Sequence, residues 1–168
     1  DQAQLAMAYL DGWQISDEAM FRETAEGIFN YLLTDLRDEC GAFHAAEDAD
    51  SLPDASADHK REGAYWTWEA REISSLLSPR DAAIFSAAYG VAAEGNARPE
   101  SDPHGELEGQ NTLFRAMRDD ALAGMFDLPE EEIRGILSSS RETLLKAGSK
   151  RPMPHREDKI VTAWNGLV

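Results

Sequence analysis

His155, Arg156, Glu157, Asp158 and Lys159 stand consecutively, shortly ahead of Trp164 and Asn165. An imidazole among such neighbours can move protons near neutral pH. The Arg156 guanidinium can stabilise an enolate or alkoxide, and Asp158 can orient either group. A second polar cluster, Glu47, Asp48 and Asp50, follows the short apolar run 42–46. Two carboxylates at a fixed separation are common equipment for sugar chemistry. The candidate catalytic residues are therefore His155, Asp48 and Glu47. The candidate ligand-binding residues are Asp50, Arg156, Asp158, Lys159, Trp164, Asn165 and Trp66. Indoles such as Trp13, Trp66, Trp68 and Trp164 offer planes for the apolar face of a sugar ring, although aromatics at helical spacing also serve simply as core. A purely local reading stands beside the chemical one. In it Asp158 caps a helix, His155 is surface, Arg156 and Lys159 pair with acidic neighbours, and Glu47 to Asp50 form a solvated turn.

The positions of other ligating residues point away from metals. His44, His59 and His104 have no zinc-ligand spacing with one another or with Cys40. A calcium loop starting at Asp48 would place Asp50 correctly, but Leu52 falls at the fifth position and Pro53 replaces the required glycine. The sequence shows no glycine-rich phosphate loop and no Gly-x-Ser-x-Gly elbow. No metal and no cofactor is expected.

These residues need elements to hold them. Leu5, Ala8, Tyr9, Gly12 and Trp13 recur at helical spacing, and Ser16-Asp17-Glu18 precedes a second stripe of Phe21, Ala25, Ile28, Phe29, Leu32 and Leu36. Two helices joined by a short turn make an α-hairpin, with the Gly41 region ending the second. Residues 42–46 and 63–67 read as two short strands around a long Asp-, Ala- and Ser-rich loop. Thr67 is placed to cap the next helix. Ser78-Pro79-Arg80-Asp81 is a capping box with Pro at the first helical position, and Gly90 ends that helix. Residues 97–110 read as a surface insertion, and 111–114 as a short extended piece. Residues 119–126 form a helix, and Pro129 with three glutamates opens a longer one. A basic loop over 147–157 leads to a last helix starting at Asp158.

Composition narrows the function classes. The formal net charge is -16, from 32 acidic and 16 basic residues. Such a chain repels phosphate backbones and anionic lipid surfaces, so neither nucleic acid nor membrane is an expected partner. Lys60, Lys146, Lys150 and Lys159 are its only lysines. High acid and low Lys fit both a salt-adapted surface and an ordinary acidic one. Cys40 is the single cysteine, which excludes an intrachain disulfide. No apolar run approaches the roughly 20 residues of a membrane span, and a cytoplasmic location is expected.

Taken in order, Asp1-Gln2-Ala3, Glu47-Asp48-Ala49-Asp50-Ser51, Tyr65-Trp66-Thr67-Trp68, Glu94-Gly95-Asn96, and His155 to Lys159 before Trp164-Asn165-Gly166 resemble the spermatogenesis-associated protein 20-like family. The resemblance covers nearly the whole chain. It implies a mainly α fold, in which helical hairpins form part of an α/α barrel of the six-hairpin glycosidase and N-acylglucosamine 2-epimerase type, with one small antiparallel β-hairpin. It also implies that residues 1–168 are a fragment of the barrel, and that a thioredoxin-like domain lies upstream. The expected partners are then a carbohydrate-like small molecule, the remaining helices of the same barrel, and a second copy of the fragment. Two functions follow as expectations. One is ligand binding with acid–base chemistry, either an epimerisation or isomerisation through His155 or a hydrolysis through Glu47 or Asp48. The other is a non-catalytic interaction scaffold working with the thioredoxin-like domain.

Overall fold

The computed structural model describes residues 1–97, 102 and 105–168; His104 and part of the expected insertion over 97–110 lie outside the described residues. The chain is mainly α, with one small antiparallel β-hairpin. It divides into two compact units, Asp1–Asp48 with His155–Val168, and Ala49–Pro154.

The first unit is built on α1 (Gln2–Ser16) and α2 (Ala19–Tyr31), which continues into a π-helical turn, Leu32–Leu36. Asp17 takes a left-handed conformation (φ 57°), and its N–H closes α1 on the Trp13 carbonyl at 2.8 Å. That conformation suits a short polar residue and turns the chain back. Ala6 and Ala25 are each buried to 1% exposure, and the Phe21 ring lies against Gly12. Alanine and glycine at these points let the helices approach closely. The expected stripe on α1 is therefore rotated: Leu5 and Ala8 are exposed, whereas Ala6 faces inward with Tyr9, Leu10 and Trp13 beside it.

The second unit packs α3 (Ala70–Leu76), α4 (Pro79–Tyr89), α5 (Asp119–Phe126) and α6 (Glu130–Gly148) around Ile73, Ile84, Phe85, Leu122, Ile133 and Leu137. The Ser78 hydroxyl accepts from Asp81 N–H at 3.2 Å, and Gly90 closes α4 at φ 64°. Both match the capping signals in the sequence, and α5 has the bounds expected of it. Arg151, in the expected basic loop, braces this unit. Its guanidinium lies 3.9 Å over the Trp68 ring, donates to the carbonyls of Ala64, Tyr65 and Thr67, and meets Glu72 at 2.8 Å. Buried Asn111 supports the same region through the backbone of Trp68 and Ala92.

Three local expectations are corrected. The hairpin is β1 (Asp50–Ser51) with β2 (Arg61–Glu62), not 42–46 with 63–67. Gly63, at φ 68°, turns the chain so that Trp66 and Thr67 N–H both bond its carbonyl, which removes them from any strand. Thr67 does not cap α3. Its hydroxyl donates to the Gly63 carbonyl and lies 3.1 Å from the Gln110 side-chain oxygen, and α3 begins after Glu69. The last helix, α7, is Thr162–Asn165 rather than a helix from Asp158. Residues 155–159 spend their backbone groups on residues 45–48 and so cannot make the i to i−4 bonds of a helix.

Among the described residues no helix is long and apolar enough to cross a membrane. Truncating Phe85, 1% exposed, to Ala should lower stability by about 3–5 kcal/mol through lost burial and a residual cavity. Urea unfolding of Phe85→Ala would check this.

Candidate functional site

Residues 43–48 of the first unit lie between two neighbours. On one side Phe43 pairs with Arg37, and His44 N–H donates to the Leu36 carbonyl at 2.8 Å. On the other, residues 155–159 run antiparallel. Asp48 N–H donates to the His155 carbonyl at 2.7 Å, Glu157 N–H to the Ala46 carbonyl at 2.9 Å, and Ala45 N–H to the Lys159 carbonyl at 2.9 Å. Glu47 and Arg156 form the opposed pair between them. The backbones of the two polar clusters thus lie side by side.

Two side chains fasten this arrangement. Asn165 acts as a peptide mimic: its Oδ1 accepts from Phe43 N–H at 2.7 Å, and its Nδ2 donates to the Phe43 carbonyl at 2.9 Å and the Val161 carbonyl at 3.1 Å. The buried His44 ring donates from Nδ1 to the Glu157 carbonyl at 2.9 Å, because a carbonyl can only accept. The His44 Nε2 lies 3.3 Å from the Asp38 carboxylate but is poorly aligned for a hydrogen bond. Hydrogen bonds from Cys40 hold the Asp38 carboxyl below the usual aspartate range, and His44 adds to the effect.

These elements line an open cavity of about 550 Å³. Its walls are the first turn of α1, Leu32 and Leu36 of the π-helical turn, residues 43–46, and the segment around Glu157, Lys159, Trp164 and Asn165. Trp164 is 57% exposed, so its indole is available as a surface. Lys159 Nζ donates to Glu157 Oε2 at 2.8 Å, and this bond raises the lysine above its ordinary range.

Of the expected residues, Lys159, Trp164 and Asn165 line the cavity, while Glu47, Asp48, His155, Arg156 and Asp158 do not. Glu47 Oε2 instead accepts from the Tyr31 hydroxyl at 2.8 Å, and Arg156 Nη1 donates to the Asp35 carbonyl at 2.8 Å. His155 and Asp158 are exposed. Asp50 and Trp66 belong to the second unit: Asp50 faces Glu62 across the hairpin, and Trp66 stands edge-on to Tyr65 with centroids 4.7 Å apart. Sequence reasoning missed Tyr31, His44 and Gln4 as cavity or cluster residues. Nothing local marks Tyr31, whose partner Glu47 lies sixteen residues on.

Architecture and site together define a mainly α protein whose candidate binding cavity is built from two stretches distant in sequence. No family model matches the chain. Aligned over its whole length, it is 37% identical across 177 positions to spermatogenesis-associated protein 20 of Homo sapiens and 34% identical to the Mus musculus protein of that name. It is also 34% identical across 176 positions to an uncharacterized protein of Caenorhabditis elegans. The chain spans 22% of the length of the two mammalian relatives and 24% of the nematode one. The resemblance to spermatogenesis-associated protein 20 is thus carried by the entire chain.

Tyr31 supplies a pH test. Burial first, and then the hydrogen bond to Glu47, push its hydroxyl well above the ordinary phenol range. A raised folded value contributes stability that is complete below the unfolded phenol value and is lost as pH climbs toward the folded one. Tyr31→Phe should cost about 1–2 kcal/mol near neutrality, where one hydrogen bond to a carboxylate is lost. It should also flatten the alkaline fall of Tm relative to the parent, as read from melting curves across pH.

Proposed function

We propose that this chain is a segment of an α/α-barrel domain and that its cavity binds a carbohydrate-like, polyhydroxy ligand. The observation that carries the reading is the chemistry of the cavity wall. An accessible indole, Trp164, stands with the hydrogen-bonding side chains of Gln2, Gln4, Glu157 and Lys159 around one concavity. An apolar plane bordered by donors and acceptors suits a ring whose faces are apolar and whose rim is hydroxylated. His155, Asp48 and Glu47 do not line the cavity, so turnover through them requires a ligand that extends past the cavity wall to their side chains. His155 would serve an epimerisation or isomerisation, and Glu47 or Asp48 a hydrolysis.

A second reading, a non-catalytic scaffold that presents clients to a thioredoxin-like domain, is favoured by one observation. Outward positions of the α1–α2 hairpin and its π-helical extension carry Leu5, Ile15, Met20 and Leu33, with Ile15 87% exposed. Such side chains suit covering by further barrel helices, a second copy or a client. The exposed free thiol of Cys40 fits a reducing, cytoplasmic setting. The formal charge of -16 fits a high-salt one.

A sugar panel, read by calorimetry on the full-length protein, separates the two readings. Trp164→Ala should weaken the best ligand by about 5–30-fold, the loss of roughly 1–2 kcal/mol of stacking. His155→Gln and Asp48→Asn should abolish turnover and leave that affinity nearly unchanged. An inert panel, with client capture retained, would select the scaffold. For the salt proposal, Tm should rise steadily from low to molar salt as carboxylate repulsion is screened; a flat curve would remove it.

A further inference from the structure

We propose that Asn165–Gly166 is a latent site of hydrolytic modification, deamidation through a cyclic imide, and that the hydrogen bonds of the Asn165 side chain guard it. Of Asn30, Asn96, Asn111 and Asn165, only the last is followed by glycine. The reaction needs water alone. The Gly166 nitrogen loses its proton to hydroxide and attacks Asn165 Cγ. A C–N bond closes a five-membered imide, and the side-chain nitrogen leaves as ammonia. Water then opens the ring at either carbonyl, giving aspartate or, with the chain rerouted through the side chain, isoaspartate. The net change is one water taken up and one ammonia released. Glycine favours the attack because no Cβ crowds its nitrogen and its backbone is permissive.

The folded chain opposes each step. Asn165 ends α7, and Gly166 continues the helical backbone at φ -71° and ψ -8°. The Gly166 N–H is engaged by the Thr162 carbonyl at 3.0 Å, so its proton is not free to leave. The electrophile is held as well. Asn165 Oδ1 accepts from Phe43 N–H at 2.7 Å, and Nδ2, the leaving group, donates to the carbonyls of Phe43 and Val161 at 2.9 and 3.1 Å. Swinging Cγ toward the Gly166 nitrogen breaks these three bonds together. Modification also destroys the guard. A carboxylate in place of the amide still accepts from Phe43 N–H, but it has no donor for the two carbonyls and sets a negative charge beside them. The clamp cannot re-form, so the change runs one way. The backbone itself does not require glycine here: a Cβ on Gly166 would meet nothing closer than the Thr162 carbonyl oxygen at 3.6 Å. Gly166→Ala is therefore a mild control for the chemistry.

The test incubates the full-length protein at mildly alkaline pH, native and in guanidinium chloride. Peptide mass spectrometry then separates asparagine, aspartate and isoaspartate at position 165. The unfolded parent should form both acids. The native parent should form them at least about tenfold more slowly, as expected when three hydrogen bonds must break first. Gly166→Ala should remove most of the unfolded reaction. Phe43→Pro deletes the N–H bonded to Oδ1 and should speed the native reaction severalfold. His44→Ala, which frees the neighbouring Glu157 carbonyl, should act in the same direction to a smaller extent and serves where the proline variant does not fold. An unreactive position 165 in the unfolded chain would overturn the site. Equal native and unfolded rates would overturn the guard, as would a native rate unchanged in whichever of these two variants folds.

Discussion

The first unit depends on one interaction, the antiparallel docking of residues 155–159 on 45–48. Three backbone hydrogen bonds make the contact, and the Asn165 amide extends it by imitating a neighbouring peptide for Phe43. Everything of chemical interest in that unit is placed by this pairing. It brings the Asp48 and His155 backbones together and opposes Glu47 to Arg156. It also sets Lys159 and Trp164 against the first turn of α1 as two sides of one cavity. The backbone cost is met because each paired N–H and C=O exchanges water for a protein partner.

The same pairing separates binding from acid–base chemistry. Alternation along an extended segment sends successive side chains to opposite faces. Glu157 and Lys159 line the cavity, while Arg156 reaches the Asp35 carbonyl and Asp158 is exposed. Glu47 is held by Tyr31. A run of consecutive polar residues that looks like one site in sequence is thus split by strand geometry into a cavity-lining set and an outer set.

In the second unit, polar side chains at least partly buried hold the fold together through backbone partners. Arg151 makes a cation–π contact with Trp68, satisfies three carbonyls and pairs with Glu72. Asn111 does comparable work between Trp68 and Ala92. Both are polar residues whose partners are mainly backbone atoms, as buried polar side chains require. Neither carries a pattern that marks it in the sequence.

What the sequence determined by itself is what short-range physics controls. The Ser78-Pro79 start and Gly90 end of α4 rest on capping and φ preference, and the acidic opening of α6 on the charge of the helix N-terminus, all within a few residues. The mainly α character follows from the same stripes, and the likeness to spermatogenesis-associated protein 20 from the order of the polar clusters. Tertiary structure alone decided the rest. Asp158 has the composition of a helix start, but its neighbours' backbone groups are claimed by a segment more than a hundred residues earlier. The rotation of α1, the pairing of Tyr31 with Glu47, and the role of Asn165 as a clamp also depend on partners distant along the chain. Local propensity cannot register such a partner, because the free energy of a hydrogen bond or a packed face exists only once both sides have met.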